Sequence, residues 1–158
     1  MNPYAKFLGE REPMTVLSET VPHLHEIVER IGSDGLDRSY AEGKWNARQI
    51  IAHLAQVEMV FATRFRFAMA CDDYILQPFE QDDWIQRESI EDVALSLEAM
   101  AATRAWNLAF LSTLTEPDRS KTFAHPEVGT IDLNYLIERL AGHDLSHFSQ
   151  LETIAQNR

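Results

Sequence analysis

Apolar residues recur along this chain at intervals of three and four and nowhere at a sustained interval of two, so the pattern predicts helices. The first spans Pro13 to Ile31, with Met14, Leu17, Val21, Leu24, Ile27, Val28 and Ile31 on one stripe. Pro22 falls inside it and predicts a kink or a fresh start, because an interior proline removes a backbone donor and crowds the preceding turn. The second runs from Asn46 to about Ala70 and carries Ile50, Leu54, Val57, Phe61, Phe65 and Ala68. Asn46 suits an N-cap, and Gln49 three residues on can reach back to it. The third is expected to start at Ser89, whose spacing to Asp92 is that of a capping box. It continues through Ile90, Val93, Leu97, Met100, Arg104, Leu108 and Leu111, with Pro117 just past its end. The fourth begins after Gly129-Thr130 and carries Leu133, Leu136, Ile137, Leu140, Phe148, Leu151 and Ile154.

Four amphipathic helices of this length imply an all-α fold, a four-helix bundle. At 158 residues the chain is expected to form a single domain. The link from Cys71 to Glu88 is long enough to cross the bundle, which would let the second and third helices run parallel. A further link passes Glu116-Pro117-Asp118 and ends at His125-Pro126-Glu127-Val128-Gly129.

Charge and composition narrow the functional classes. With 14 basic against 25 acidic residues the formal net charge is −11, which disfavours a general nucleic-acid binder, since phosphate contact needs a concentrated basic surface. The lone cysteine, Cys71, excludes an internal disulfide framework. No run approaches the length of a membrane span, and the charged residues that follow Met1-Asn2-Pro3-Tyr4 do not resemble a signal peptide. The expectation is a cytoplasmic protein without membrane or nucleic-acid partners.

The histidines change the picture. On the fourth helix the inward stripe reads 133, 136, 140, 143, 147, 151, 154, and two of those places are His143 and His147. Residues four apart lie ~40° apart around the axis and ~6 Å along it, so both rings can face one spot. His53 sits on the inward side of the second helix with Ile50, Val57 and Val60. Each buried imidazole without a partner costs about 1–3 kcal/mol, against about 5–15 kcal/mol of typical net stability. One divalent ion would satisfy all three, and Zn, Ni and Fe(II) all accept neutral imidazole. The competing reading is three core histidines satisfied by carbonyls or carboxylates. A zincin-type metalloprotease is set aside, because Asp144 stands where that motif places its general-base Glu.

The residues around these histidines resemble a known family. Gly43-Lys44-Trp45-Asn46-Ala47-Arg48-Gln49-Ile50-Ile51-Ala52-His53-Leu54-Ala55-Gln56-Val57-Glu58 is similar to the Gly-x-Trp-(Ser/Thr/Asn)-x-(Arg/Lys)-(Gln/Glu)-x-x-x-His-Leu-x-x-x-Glu signature of the DinB-like superfamily. His143-Asp144-Leu145-Ser146-His147-Phe148-Ser149-Gln150-Leu151 resembles its His-x-x-x-His-x-x-Gln-(Ile/Leu) ending, and His125-Pro126-Glu127-Val128-Gly129 its lead into the last helix. The resemblance implies an up-down-down-up bundle and a divalent metal on His53, His143 and His147. It also implies frequent homodimers and kinship with bacillithiol- and mycothiol-dependent transferases.

Other residues carry paired readings. Asp144 points about 100° from His143 and either accepts from a ligand N–H or faces a neighbouring helix. Gln150 returns to the face of His143, where it lines the pocket or makes a structural hydrogen bond. Glu58 is expected to pair with Arg64 or another helix, a general-base role being the lesser reading. His125 either looks onto the metal position or is solvated. Trp45 is expected to pack rather than hold substrate, Cys71 to pack as a small hydrophobe, and His23 and His25 to lie on a solvated face. Tyr74, Phe79 and Trp84 could form a lid or a dimer contact beside the acidic stretch Glu80-Gln81-Asp82-Asp83. Together these predict a metal-dependent transferase or hydrolase acting on a small molecule, with a low-molecular-weight thiol as co-substrate. The rivals are a non-catalytic metal- or ligand-binding stress protein of the same fold and a plain interaction module.

Overall fold

The apolar stripes fold into a four-helix bundle with a small hairpin at one end. A computed structural model describes residues 2–157. In chain order the elements are α1 (Ala5–Leu8), α2 (Pro13–Ile31), α3 (Ala47–Ala70), α4 (Gln81–Ile85), α5 (Val93–Ser112), α6 (Glu116–Arg119), β1 (Thr122–His125), β2 (Gly129–Asp132) and α7 (Leu133–Gln156).

Local chemistry explains most boundaries. The Glu12 side chain caps α2 by accepting from the backbone N–H groups of Met14 and Thr15, and Pro13 occupies the first turn, where its missing donor costs nothing. Helix α2 continues through Pro22 without a fresh start. Asn46 and Gln49 form the reciprocal capping box of α3: the Gln49 N–H donates to Asn46 Oδ1 at 2.9 Å and the Asn46 N–H to Gln49 Oε1 at 3.0 Å. Asp132 caps α7 through the Tyr135 N–H. Helix α5 begins later than its spacing predicts. Asp92, rather than closing a box with Ser89, is itself the N-cap and accepts from the Leu95 N–H at 2.9 Å.

The hairpin was not foreseen. Strands β1 and β2 pair antiparallel from Thr122↔Asp132 to His125↔Gly129, and the expected His125-Pro126-Glu127-Val128-Gly129 link is their turn. Four residues per strand, with only Phe123, His125 and Ile131 buried, are too few for a period of two to register. The link after α3 joins this edge, with Leu76 N–H donating to Ala124 O and Ala124 N–H to Tyr74 O.

Contacts between helices give the topology. Thr20–Asp144 and Arg30–Glu152 climb α2 and α7 in the same sense, so these helices are parallel. Glu58–Arg104 and Arg66–Asn107 do likewise for α3 and α5. Trp45 and His53 meet His147, whereas His53 also meets His143, and Arg64 shares a cavity wall with Arg139. Helices α3 and α7 therefore run antiparallel, and the bundle is up-down-down-up.

Two apolar clusters fill it. One gathers Leu17, Phe65, Leu111, Leu136 and Leu140, the other Leu24, Ile50, Leu54, Met100 and Leu151. Between them, at one level of all four long helices, lies a buried polar layer of Thr20, His53, Glu58, Arg104, Asn107, His143, Asp144 and His147.

The N-terminal segment seals one side of this layer. A Cβ at Gly142 in mid-α7 would stand 2.7 Å from the Tyr4 carbonyl oxygen and 2.9 Å from Tyr4 Cβ, so only glycine admits the approach. Gly142→Ala gains ~1 kcal/mol of helix propensity but loses about 1–3 kcal/mol to overpacking against a backbone that cannot rotate away. The expected result is release of the segment, seen as faster tryptic cleavage after Lys6 and Arg11 with α7 intact by circular dichroism. Unchanged cleavage would argue against this packing.

Candidate metal centre

His143 and His147 stand one turn apart on the inward face of α7, and antiparallel α3 brings His53 to the same place. His53 Nε2 lies 3.1 Å from His143 Nε2, and His147 Nε2 lies 3.2 Å from it. One nitrogen from each of the three, all buried, falls within 4.8 Å of the others, and no carboxylate or thiol joins this group among the described residues. Nitrogens held about 2.0–2.1 Å from one ion at tetrahedral angles stand ~3.3 Å apart, close to the two short separations.

The protonation chemistry points the same way. Burial pushes the His53 ring down to about 2, with repulsion from His143 and His147 adding to it. Burial likewise takes His147 down to about 3, the neighbouring His143 assisting, while Gln150 and Asp144 oppose the shift. Both rings are neutral near pH 7. Gln150 Oε1 lies 2.9 Å from His147 Nδ1, and this contact assigns the ring proton to Nδ1, leaving Nε2 as a bare lone pair aimed inward. Among the described residues, Nδ1 of His53 and of His143 have no hydrogen-bond partner. One Nε2–H can bridge only one of the two short Nε2 separations, so hydrogen bonding satisfies the three converging imidazoles only in part. The donor set, imidazole nitrogens meeting at one point beside buried carboxylates, fits a divalent transition ion.

Aromatic rings lock the imidazoles. Tyr4 meets His143 edge to face at 5.2 Å, Trp45 tilts onto His53 at 4.8 Å, and Phe79 lies parallel to His53 at 6.1 Å with Trp84 at its edge. Trp45 thus packs as expected, but its partners are the site's own rings. Phe79 thus brings the long link to the site, and Trp84 backs it from the exposed side.

Beneath the rings lies a buried ion cluster centred on Arg104. Its Nη2 donates to Glu58 Oε2 at 2.6 Å and to Asp144 Oδ2 at 2.8 Å, and its Nη1 to the Leu17 carbonyl at 3.0 Å. Asn107 Nδ2 donates to Glu58 Oε1 at 2.7 Å and Thr20 Oγ1 to Asp144 Oδ2 at 3.1 Å. Burial alone would lower the Arg104 pKa, but the two carboxylates outweigh it and hold the guanidinium above its ordinary value. Glu58 therefore pairs with Arg104, not Arg64. Both its oxygens are engaged and it lines no part of the adjoining cavity, which removes it as a general base. Asp144 serves the neighbouring helices first; its Oδ1 stands 3.7 Å from His143 Nδ1, beyond hydrogen-bonding distance. The sequence placed Arg104 on the apolar stripe of the third helix but gave it no role, and it did not single out Asn107.

A cavity of about 380 Å³ opens from the imidazoles, lined by His53, His143, Arg64, Arg139, His125 and Phe79 among others. His125 reaches this wall, half answering its paired readings. Its Nδ1 accepts from the Glu127 N–H at 3.1 Å, so the ring proton sits on Nε2. Cys71 is half-buried at the end of α3, and His23 and His25 are exposed on α2.

Comparison with known proteins places these features in a lineage. A family model described as the DinB superfamily matches residues 17–151. An Oceanobacillus iheyensis protein provisionally named a metal-dependent hydrolase is 27% identical over 129 residues, 81% of this chain and 75% of its own length. Bacillus subtilis YfiT, provisionally named likewise, is 26% identical over 145 residues, 86% of this chain and 80% of its own. The solved structure of YfiT, described as a probable metal-dependent hydrolase with an unusual four-helix bundle topology, superposes with a TM-score of 0.85 at 24% identity. That match covers 91% of this chain and 84% of that one, a likeness of fold.

Removing one member of the ion cluster leaves its partners buried and uncompensated. Arg104→Met is expected to lose about 3–5 kcal/mol in urea unfolding near neutral pH. Burial would raise the Asp144 carboxyl, yet Arg104 holds it below its ordinary range. The stability this contributes is present above the unfolded-state value of ~3.9 and is lost as pH falls through the folded-state value. The gap between wild type and Arg104→Met therefore narrows on acidification below about pH 4, and a gap independent of pH contradicts the assignment.

Proposed function

The chain belongs to the DinB superfamily, and on that premise we propose that it is a metal-dependent hydrolase or transferase of a small molecule, with His53, His143 and His147 holding a divalent ion. The observation that carries the reading is the incomplete donor set: three imidazoles without a fourth protein donor among the described residues. Structural sites close with four protein ligands, whereas catalytic ones keep a position for water or substrate. When bound, such an ion supplies Lewis acidity, making a water or thiol at its open position easier to deprotonate near neutral pH.

The chain's own groups supply the rest. Gln150 holds the proton of His147 on Nδ1 and so keeps Nε2 available. Tyr4, Trp45 and Phe79 pack against the imidazoles and fix their ring planes. His125 leaves an N–H donor on the cavity wall. Cys71 lies outside the cavity lining, so a thiol-linked reaction draws its sulfur from a low-molecular-weight co-substrate. The exposed side chains Phe67, Ile75 and Trp84 support a homodimer as part of the same reading. One observation favours the non-catalytic alternative: both buried carboxylates nearest the imidazoles are engaged by Arg104, which leaves neither as an evident general base.

Protein purified without an affinity tag is expected to carry about one equivalent of a transition metal by elemental analysis, and His143→Ala with His147→Ala to carry less than about a tenth. Gln150→Leu should weaken metal affinity about 10–100-fold through loss of the tautomer lock. Sub-stoichiometric metal that both variants leave unchanged removes the metal reading. For activity, wild type and His53→Ala are compared in ester hydrolysis and in conjugation of thiols to monochlorobimane. Loss of turnover in His53→Ala supports the enzyme, and equal rates assign the protein to the non-catalytic alternative.

A further inference from the structure

Two arginines share the cavity with the imidazoles. Arg64 follows His53 on α3 and Arg139 precedes His143 on α7; because these helices are antiparallel, both are displaced from the imidazoles toward the same end of the bundle. Neither guanidinium has a carboxylate within 4.0 Å among the described residues. Arg64 is buried, and among its five N–H donors the recorded hydrogen bond is Nη2 to the Gln77 carbonyl at 3.0 Å. Arg139, half-buried, has no hydrogen-bond partner among the described residues. Burial lowers Arg64 to about 10, Arg139 repelling it further, so it still carries its charge near neutral pH. Burial and repulsion by Arg139 and Arg64 lower His125 as well, with Glu127 opposing.

Like charges converging without a counter-ion in a partly desolvated wall repel one another, and such an arrangement costs free energy that a bound anion would recover. The acidic residues that also line the cavity, Glu80, Asp82, Asp83 and Glu127, are all exposed and hydrated. Salt screens them within ~8–10 Å, whereas the buried Arg64 is screened far less. The buried wall at Arg64 is therefore cationic where it meets the cavity, with the carboxylates held out in water.

We propose that Arg64 and Arg139, with the Nε2–H of His125, form an oxyanion subsite, so that the substrate is a small molecule whose carboxylate or phosphate group anchors on this wall while its reacting centre faces the imidazoles. Guanidinium groups match both anions with paired N–H donors, and His125 adds a neutral donor to the same wall. This rests on the hydrolase or transferase reading of the cavity and names the chemical class it would accept.

The test is isothermal titration of the full chain with acetate and with inorganic phosphate at constant ionic strength, with acetamide as the uncharged control. One of the two oxyanions is expected to bind saturably and acetamide not; which one binds distinguishes an organic acid from a phosphate ester. Arg139→Gln, which breaks no recorded hydrogen bond, should raise Kd about tenfold or more. Arg64→Gln should act similarly if it folds, but Arg139→Gln decides. His143→Ala with His147→Ala should retain the anion. Absence of saturable binding by either anion, or equal binding by wild type and Arg139→Gln, overturns the subsite. Metal binding without anion binding sinks this inference alone, and Arg139-dependent anion binding in protein that takes up no metal leaves the subsite standing while the metal reading falls.

Discussion

A guanidinium in the middle of a helix bundle must be matched by carboxylates at the same level, and this requirement at Arg104 governs the arrangement of all four long helices. Arg104 itself comes from α5, Glu58 from α3, Asp144 from α7 and the Leu17 carbonyl from α2. These groups are 0–2% exposed, so each charge has left water and depends on the others. A slip of one helix by a turn, ~5.4 Å, would break several of these contacts together. Apolar clusters above and below would tolerate that slip better, since Leu and Ile pack against many alternatives. The ion cluster thus acts as a register pin, a role in which buried polar groups contribute specificity more than net stability.

The same pin positions the imidazoles. Asp144 is adjacent to His143 in sequence, and Glu58 lies little more than a turn beyond His53, so holding the two carboxylates on Arg104 brings α3 and α7 to the register at which the Nε2 atoms meet. The aromatic rings of Tyr4, Trp45 and Phe79 then fix the rotation of each imidazole from outside. Polarity is divided across the site, with the buried carboxylates of Glu58 and Asp144 behind the rings, Arg64, Arg139 and His125 on the inner cavity wall, and exposed carboxylates around them. The side that would stabilise a cation and the side that would receive an anion are therefore different walls of one polar layer. Gly142 is the steric condition for the closed side, since it admits the Tyr4 backbone directly against α7.

Much of the framework could be read from spacing. The bounds of α2, the capping box of α3, the inward placement of His53, His143 and His147 and a link long enough to cross the bundle all follow from local rules. Misreadings arose where a local rule had two local solutions. Asp92 can close a capping box or be the cap, and in the fold it is the cap, accepting from the Leu95 N–H. The hairpin was too short for its alternation to register. Glu58 was expected to pair with Arg64 or with another helix, and the second holds: its partner is Arg104 of α5, 46 residues away, which no local rule could name.

By itself, the sequence determined which faces turn inward, because a side chain's direction on a helix follows from its index and a period of 3.6 residues. It therefore determined that three imidazoles and one arginine are buried. Only the tertiary structure decided what they meet: Arg104 with Asp144 across 40 residues, Thr20 with Asp144 across 124, and His53 with His143 across 90. Periodicity reports angle about one axis and carries no information on the relative height of two axes. That height is set by burying charge beside opposite charge, a condition on four helices at once.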